Sequence, residues 1–276
     1  MNRPDATEKH EPLNRSISVI VPSYNEEQNL EAALDHVVAA CKDLPDGYEI
    51  IVVNDCSSDN TLAVAKKYAE GRPQVRIIDN KVNLGFGGAF REGLLNAKMS
   101  YSVMVCGDNC IGRIELGKIL SRTGEYDVVV PYIANSEVRS FPRRLLSTSF
   151  VKLMNLLFRL DLKYYNGHNV FPTKAVNAES LSPGFAFAAE ILVRLLKNGY
   201  TYCQVPMVVQ PRINGETKAF KIKNIVSVLK SIATLFLEVY FSKRAGGSSN
   251  GKKAFTSKKG SKGGLGGASD DIYPLF

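Results

Sequence analysis

The chain contains no run of ~20 consecutive apolar residues, so no segment reads as a membrane-spanning helix. Its first residues carry Asp5, Glu8 and Glu11 and lack an apolar core, so no signal peptide is expected. Cysteine is sparse, and its number is odd. Cys41, Cys56, Cys106, Cys110 and Cys203 are scattered, as free thiols in a reducing compartment are, and do not form the even framework of a disulfide scaffold. Cys106 and Cys110 sit four apart, but the sequence offers no second pair and no nearby histidine, which argues against zinc. Histidine occurs three times, and a structural role is expected for His168. There is no long basic stripe interleaved with aromatics, which excludes nucleic acid as the expected partner. No internal repeat is present.

What is there is the composition of a globular protein: 276 residues, 45% hydrophobic and 22% charged. That length buries a large core in one or two domains. The formal net charge is +8, of which the glycine-, serine- and lysine-rich stretch from residue 245 onward carries +3. The mildly basic remainder suits a phosphate-bearing ligand or an anionic membrane surface. The expected division is a disordered amino terminus over 1–15, one folded domain over 16–242 and a flexible tail over 243–276.

Strand and helix signals alternate through the first half. Short β-branched runs at 17–21, 49–53, 75–78, 102–105 and 127–130 read as strands. Between the first two, Leu30, Ala33, Leu34, Val37, Val38 and Cys41 recur at helical spacing. A second helix follows Ser57 and Ser58, with Leu62, Ala65 and Ala69 facing inward, and a third spans about 88–98. This order predicts an α/β fold with a mostly parallel sheet and right-handed crossovers. The second half is less regular. It reads as an amphipathic helix over 145–160, an extended piece over 169–171, a helix over 187–198, a strand over 201–209 interrupted by Pro206, and an amphipathic helix over 221–242. That last helix suits either packing on the domain or lying in a membrane interface, and its periodicity does not separate the two.

The chemistry-bearing residues follow strand ends, where open parallel sheets bind ligands. Ile17–Val21 ends in Pro22-Ser23-Tyr24-Asn25-Glu26, and Val52–Val53 in Asn54-Asp55-Cys56-Ser57-Ser58-Asp59. Either is satisfied by an ordinary turn or helix cap, or else Tyr24, Glu26 and Asp55 meet a ligand together. Asn83-Leu84-Gly85-Phe86-Gly87-Gly88-Ala89 opens a helix whose first N–H groups can meet phosphate, or it is a tight turn under a closely packed helix. It is not a dinucleotide fingerprint, because Phe90 stands where a third glycine is needed. Cys106-Gly107-Asp108-Asn109 places one carboxylate and one amide oxygen past the fourth strand, as metal ligands or a turn cap. Arg212-Ile213-Asn214-Gly215-Glu216-Thr217-Lys218 offers two cations and a glycine, as a phosphate clamp or a solvated loop. Glu190 sits four before Arg194 in a helix, as an ion-paired surface acid or a site carboxylate. Arg143 and Arg144 precede the 145–160 helix and are candidates for an acceptor phosphate.

Taken together these segments resemble family 2 glycosyltransferases, and most nearly the dolichol- and polyprenyl-phosphate mannose synthase group. The resemblance implies a GT-A fold, Rossmann-like, with flanking helices. It implies an inverting transfer of sugar from a nucleotide diphosphate donor (a UDP- or GDP-sugar) to a polyprenyl phosphate, with a glycan or small-molecule hydroxyl as the alternative acceptor. A non-catalytic nucleotide-sugar-binding protein is the third reading. It places Pro22, Tyr24, Glu26, Asp55, Asn83 and Gly85 on the nucleotide, and Asp108, Glu190, Arg212 and Lys218 in catalysis. Asp108 and Asn109 would hold Mg²⁺ or Mn²⁺. The chain departs from the family's Asp-x-Asp, with Cys106 in place of the first acid, and from its Val-Asp-Asp-Gly-Ser, with Asn54 and Cys56. Tyr165-Asn166-Gly167-His168-Asn169-Val170-Phe171 stands where the group has Ser-Gly-Phe-Arg. The implied location is the cytoplasm, peripheral on the cytoplasmic face of the membrane.

Overall fold

The structure, a computed structural model, describes residues 14–209 and 222–241. Seven strands form one sheet in the order β3-β2-β1-β4-β6-β5-β7. The strands are β1 (Ile17–Ser23), β2 (Tyr48–Asn54), β3 (Val75–Asp79), β4 (Tyr101–Met104), β5 (Val128–Ile133), β6 (Val170–Pro172) and β7 (Tyr202–Met207). The helices are α1 (Leu30–Cys41), α2 (Thr61–Ala69), α3 (Gly85–Leu95), α4 (Arg113–Leu120), α5 (Phe141–Phe158), α6 (Phe187–Lys197) and α7 (Ile222–Phe241). All strand pairs are parallel except those of β6, which runs against both β4 and β5.

Two apolar layers sandwich the sheet. Alternating residues of one strand divide between them, as the pleat requires. Val19 and Val21 face a layer with Leu30, Leu34 and Val37 of α1, Ala65 of α2 and Leu116 of α4. Ile20 faces the opposite layer with Phe90 of α3, Phe158 of α5, Leu192 of α6 and Leu235 of α7. The central strands are therefore apolar on both faces, which is why they read as continuous runs in the sequence. Under the sheet, Glu49 is buried in a polar knot. Its carboxylate accepts from Ser18 Oγ at 2.7 Å and Lys98 N at 2.6 Å, and pairs with Arg76 Nη2 at 2.6 Å.

The expected alternation of strands and helices is present, with specific differences. Helix α4 has no counterpart in them, because Gly112 and Gly117 interrupt its pattern. Helix α3 starts at Gly85 rather than 88, and α5 starts at Phe141, so Arg143 and Arg144 lie in its first turn, after Pro142. The inward stripe of α2 is Thr61, Ala65 and Tyr68, with Leu62 and Ala69 only half-buried. Pro22 lies inside β1 rather than past it. Proline is tolerated there because Ile20 and Pro22 turn their carbonyls toward the β4 side, to Val105 and Gly107, and β4 itself has stopped pairing at Met104.

Candidate active site

The turns after β1, β2 and β4 form one rim. Asp55 N–H donates to Ser23 O at 2.9 Å, and Gly107 N–H donates to Pro22 O at 3.4 Å. Side chains tie the first two turns further. Asn25 Oδ1 accepts from Ser58 N at 2.9 Å, Ser57 Oγ accepts from Asn25 N at 3.1 Å, and Thr61 Oγ1 accepts from Glu26 N at 2.8 Å. Asp59, just before the N-cap Asn60, holds the start of α2 by accepting from Thr61 N at 3.0 Å. Three non-glycine residues with left-handed backbone fall in these turns: Asn25 (φ 57°), Cys56 (φ 59°) and Asn109 (φ 55°). Such residues concentrate where a site over-determines its backbone. The rim thus brings together Tyr24, Glu26, Asp55 and Asp108. Tyr24 is 40% exposed, and the Glu26 carboxylate accepts from Asn29 Nδ2 at 2.9 Å.

Asp55 is only 3% exposed. Its Oδ1 accepts from Leu84 N and Asn80 Nδ2, and its Oδ2 from Gly85 N, each at 2.9 Å. Asn83 Nδ2 donates to the Asp55 carbonyl at 2.9 Å. The first N–H groups of the α3 turn, expected from the sequence to await phosphate, are therefore held by the chain's own carboxylate. An anion at a helix start is the favoured charge there. Gly85 takes φ +76°, which the tight entry to α3 requires. One turn on, Gly87 N–H donates to Pro183 O at 3.0 Å, and a Cβ on Gly87 would stand 2.5 Å from Gly184 O. The 182–184 loop therefore needs glycine at 87. Ser182 N–H of that loop donates to Glu190 Oε2 at 3.1 Å, and the same oxygen lies 3.5 Å from Arg194, which also pairs with Glu238 of α7. Glu190 is 5% exposed. The i+4 pairing expected for it is present, but the acid is buried beneath the 182–184 loop and not on the surface.

Asp108 shares its turn with two thiols. The ligand atoms of Cys106, Asp108 and Cys110 lie within 4.8 Å of one another. Cys110 Sγ is 3.9 Å from Nε2 of His168, a residue 5% exposed on the segment leading into β6. His168 Nδ1 is 2.8 Å from Met104 O. The hydrogen bond from Cys106, with His168 behind it, pulls the Cys110 thiol far below the usual thiol range against its burial. Burial opposes charge on His168, yet the bond and charge of Cys110 raise its pKa. His168, read from the sequence as structural, and Cys110, weighed there with Cys106 and argued against as a zinc pair, are brought beside Asp108 by the fold. The alternation Cys106-x-Asp108-x-Cys110 was the available signal. Asn109 Oδ1, expected as a metal ligand, lies 2.8 Å from the His36 ring. As a cation site this donor set fits a divalent ion through Asp108, but two thiols and an imidazole are not the hard oxygen set that Mg²⁺ or Mn²⁺ favours. Arg212 and Lys218 lie outside the described residues, as does the loop between them.

Away from the rim, the last turn of α5 meets α7. Tyr240 OH donates to Leu157 O at 3.0 Å, and Phe158 packs on Phe236 and Tyr240. Each helix also has an exposed apolar side, with Phe141, Leu145 and Leu156 on α5 and Leu229, Leu237 and Phe241 on α7. Among the described residues no helix is long and apolar enough to cross a membrane.

A three-layer α/β/α sheet whose polar rim gathers at the ends of its first, second and fourth strands, with an acid past the fourth, has the GT-A architecture of nucleotide-sugar transferases. Residues 18–182 match the profile of Glycosyl transferase family 2, and the chain belongs to that family. A dolichyl-phosphate beta-glucosyltransferase of Dictyostelium discoideum is 37% identical over 113 residues, which are 38% of this chain and 35% of that enzyme. The chain thus spans about a third of that relative. A polyprenol monophosphomannose synthase of Mycolicibacterium smegmatis is 27% identical over 221 residues, 75% of this chain and 82% of that enzyme. In fold, the chain is similar to glucosyl-3-phosphoglycerate synthase of Mycobacterium tuberculosis in complex with Mn²⁺ and UDP-glucose. The TM-score is 0.58 at 18% identity, covering 82% of this chain and 79% of the other.

Proposed function

We propose that the chain is an inverting glycosyltransferase that moves a sugar from a UDP- or GDP-sugar to a polyprenyl phosphate. The observation that carries the reading is the shared rim, in which backbone bonds from Asp55 to Ser23 and from Gly107 to Pro22 gather Tyr24, Glu26, Asp55 and Asp108. Tyr24 and Glu26 meet the nucleotide, with Pro22 forming the floor beneath them. Asp55 acts on it through the turn it holds, Asn83 to Gly85. Asp108 faces the departing diphosphate and is the residue that would hold a divalent cation, Mg²⁺ or Mn²⁺ in the family pattern. Bound there, a cation would supply charge shielding for the leaving group. Arg212 and Lys218 complete the clamp, because neutralising charge on a departing diphosphate is the main term in such a transfer.

The acceptor assignment rests on three supports. A phosphate acceptor is already anionic at neutral pH, with a second pKa near ~6, and needs no strong base. Glu190, the helix carboxylate that the family resemblance offers for that work, is committed to Ser182 N–H and Arg194. Finally, the exposed apolar residues of α5 with Arg143, Arg144 and Lys152, and the exposed side of α7, suit the headgroup region of a bilayer. The chain would then work as a peripheral protein on the cytoplasmic face.

The test is transfer of radiolabelled sugar from UDP-glucose and GDP-mannose to a short polyprenyl phosphate in detergent, beside soluble glycan acceptors. Lipid product from one donor is the expected result. Product on glycans alone moves the acceptor assignment to a hydroxyl, and donor binding with no product on any acceptor selects the non-catalytic reading. Asp108→Ala should abolish transfer with the circular dichroism spectrum unchanged, and Arg212→Ala should slow it by about a hundredfold.

A further inference from the structure

The fourth strand end carries more sulfur and nitrogen than a diphosphate site with a hard cation calls for. Cys106, Asp108 and Cys110 alternate along one turn, and their ligand atoms converge within 4.8 Å. A fourth donor arrives from far along the chain, since His168 Nε2 is 3.9 Å from Cys110 Sγ across 58 residues. The other ring nitrogen, Nδ1, is 2.8 Å from the Met104 carbonyl, which can only accept. Nδ1 therefore carries the hydrogen, and in the neutral ring the lone pair sits on Nε2, toward the cysteine. A backbone carbonyl behind a histidine is the usual outer partner of a metal-ligating imidazole, fixing its tautomer and orientation.

We propose that Cys106, Asp108, Cys110 and His168 bind a thiophilic divalent cation of the Zn²⁺ class at this strand end. It rests on the reading above only through Asp108, which belongs to both. Two thiolates, an imidazole and a carboxylate are the ligand types of tetrahedral zinc, and soft sulfur selects against Mg²⁺ and Mn²⁺. Bond lengths of ~2.0–2.3 Å place neighbouring tetrahedral donors roughly 3.3–3.8 Å apart, so the widest separation among Cys106, Asp108 and Cys110 needs to close by about 1 Å, and His168, which reaches Cys110 at 3.9 Å but lies outside that close trio, has to move further in. The half-exposed turn leaves an entry path for the ion. The sequence argued against zinc because no histidine lay near the cysteine pair, and the fold supplies it.

The test is titration of chelator-treated full-length protein with Co²⁺, which reports sulfur ligation by a thiolate-to-cobalt charge-transfer band and tetrahedral geometry by intense visible absorption. One equivalent should produce both. Cys106→Ser/Cys110→Ser should remove the charge-transfer band, and His168→Gln should weaken cobalt binding by on the order of a hundredfold. Cys106→Ser alone, at a half-exposed position, should weaken the band while the circular dichroism spectrum stays native. No band at stoichiometric cobalt overturns the site, as does a band that survives in the double serine variant, because it then belongs to Cys41, Cys56 or Cys203. Sugar transfer is assayed separately. Transfer without the cobalt signature sinks the cation site and spares the transferase reading, whereas the cobalt signature without transfer to any acceptor does the reverse.

Discussion

Replacing Asp55 with asparagine tests whether this carboxylate builds the turn on which the nucleotide reading depends. The aspartate collects three donors on two oxygens: Leu84 N–H and Asn80 Nδ2–H on one, and Gly85 N–H on the other, all at 2.9 Å. Asparagine keeps the shape but turns one acceptor into a donor. With its oxygen toward Leu84 and Asn80, its amide nitrogen faces Gly85 N–H, and one bond becomes a clash of donors. A buried donor without a partner costs ~1–3 kcal/mol, and the two bonds that remain fall from charge-assisted to neutral strength, losing ~1 kcal/mol each. Burying a neutral amide in place of a carboxylate returns part of this. The net expectation is a loss of about 2–4 kcal/mol, or a fall in Tm of about 5–10 °C for a domain of this size. Urea unfolding should show a lower midpoint with unchanged slope, hydrogen exchange should quicken at the Leu84 and Gly85 amides, and nucleotide-sugar binding should weaken. A stability change under ~0.5 kcal/mol with those two amides still protected would refute the claim that Asp55 holds this turn.

Glu49→Gln should destabilise by about 2–3 kcal/mol, at or just under the ~3–5 kcal/mol of breaking a fully buried pair, because Arg76 is one-third exposed. Burial alone would raise the pKa of Glu49, but the bonds from Ser18, Lys98 and Arg76 hold it below the ordinary value. A lowered folded pKa contributes stability that is present above the unfolded value of ~4.3 and lost as pH falls through the folded value. Urea midpoints of the wild type should therefore drop on acidification below about pH 4.5, and the variant should drop less; parallel curves would count against the pairing. Cys56→Gly should be neutral or stabilising by up to about 1 kcal/mol, because relief of the left-handed strain at φ 59° outweighs the chain entropy of glycine. A loss of 1 kcal/mol or more by thermal unfolding would mean that the Cys56 side chain holds the turn in a way its contact with Lys81 O does not show.

The parallel half of the fold was legible because its strands are buried on both faces and its ligand-facing residues sit directly after them. Ile17–Val21 and Glu49–Val53 needed no tertiary information. Helix α4 was not legible, because glycines at 112 and 117 break a short pattern that packing on α1 and β7 sustains. At the site, sequence placed Tyr24 and Glu26 after β1, Asp55 after β2 and Asp108 after β4. It read Asp55 and the α3 start as two parts of a ligand pocket, whereas they satisfy each other. Spacing cannot show that an acid and an amide 30 residues apart will share a hydrogen bond. Glu190 was visible as half of an i+4 pair, but its depth came from the 182–184 loop closing over it. His168 was set aside as structural because its partners are 58 and 64 residues away.

The single strand that runs the other way has a consequence for where variation should be read. Six strands point their carboxyl ends the same way, and the first, second and fourth deliver to the rim what comes after them. The reversed one delivers what comes before it, so His168 forms a lip of the fourth strand end although it precedes its strand. A survey that collects only the residues trailing each strand would pass over this lip. Substitution of His168 should change ion binding, whereas Tyr165, fully buried and bonded to Asn155, answers for how well the protein holds together.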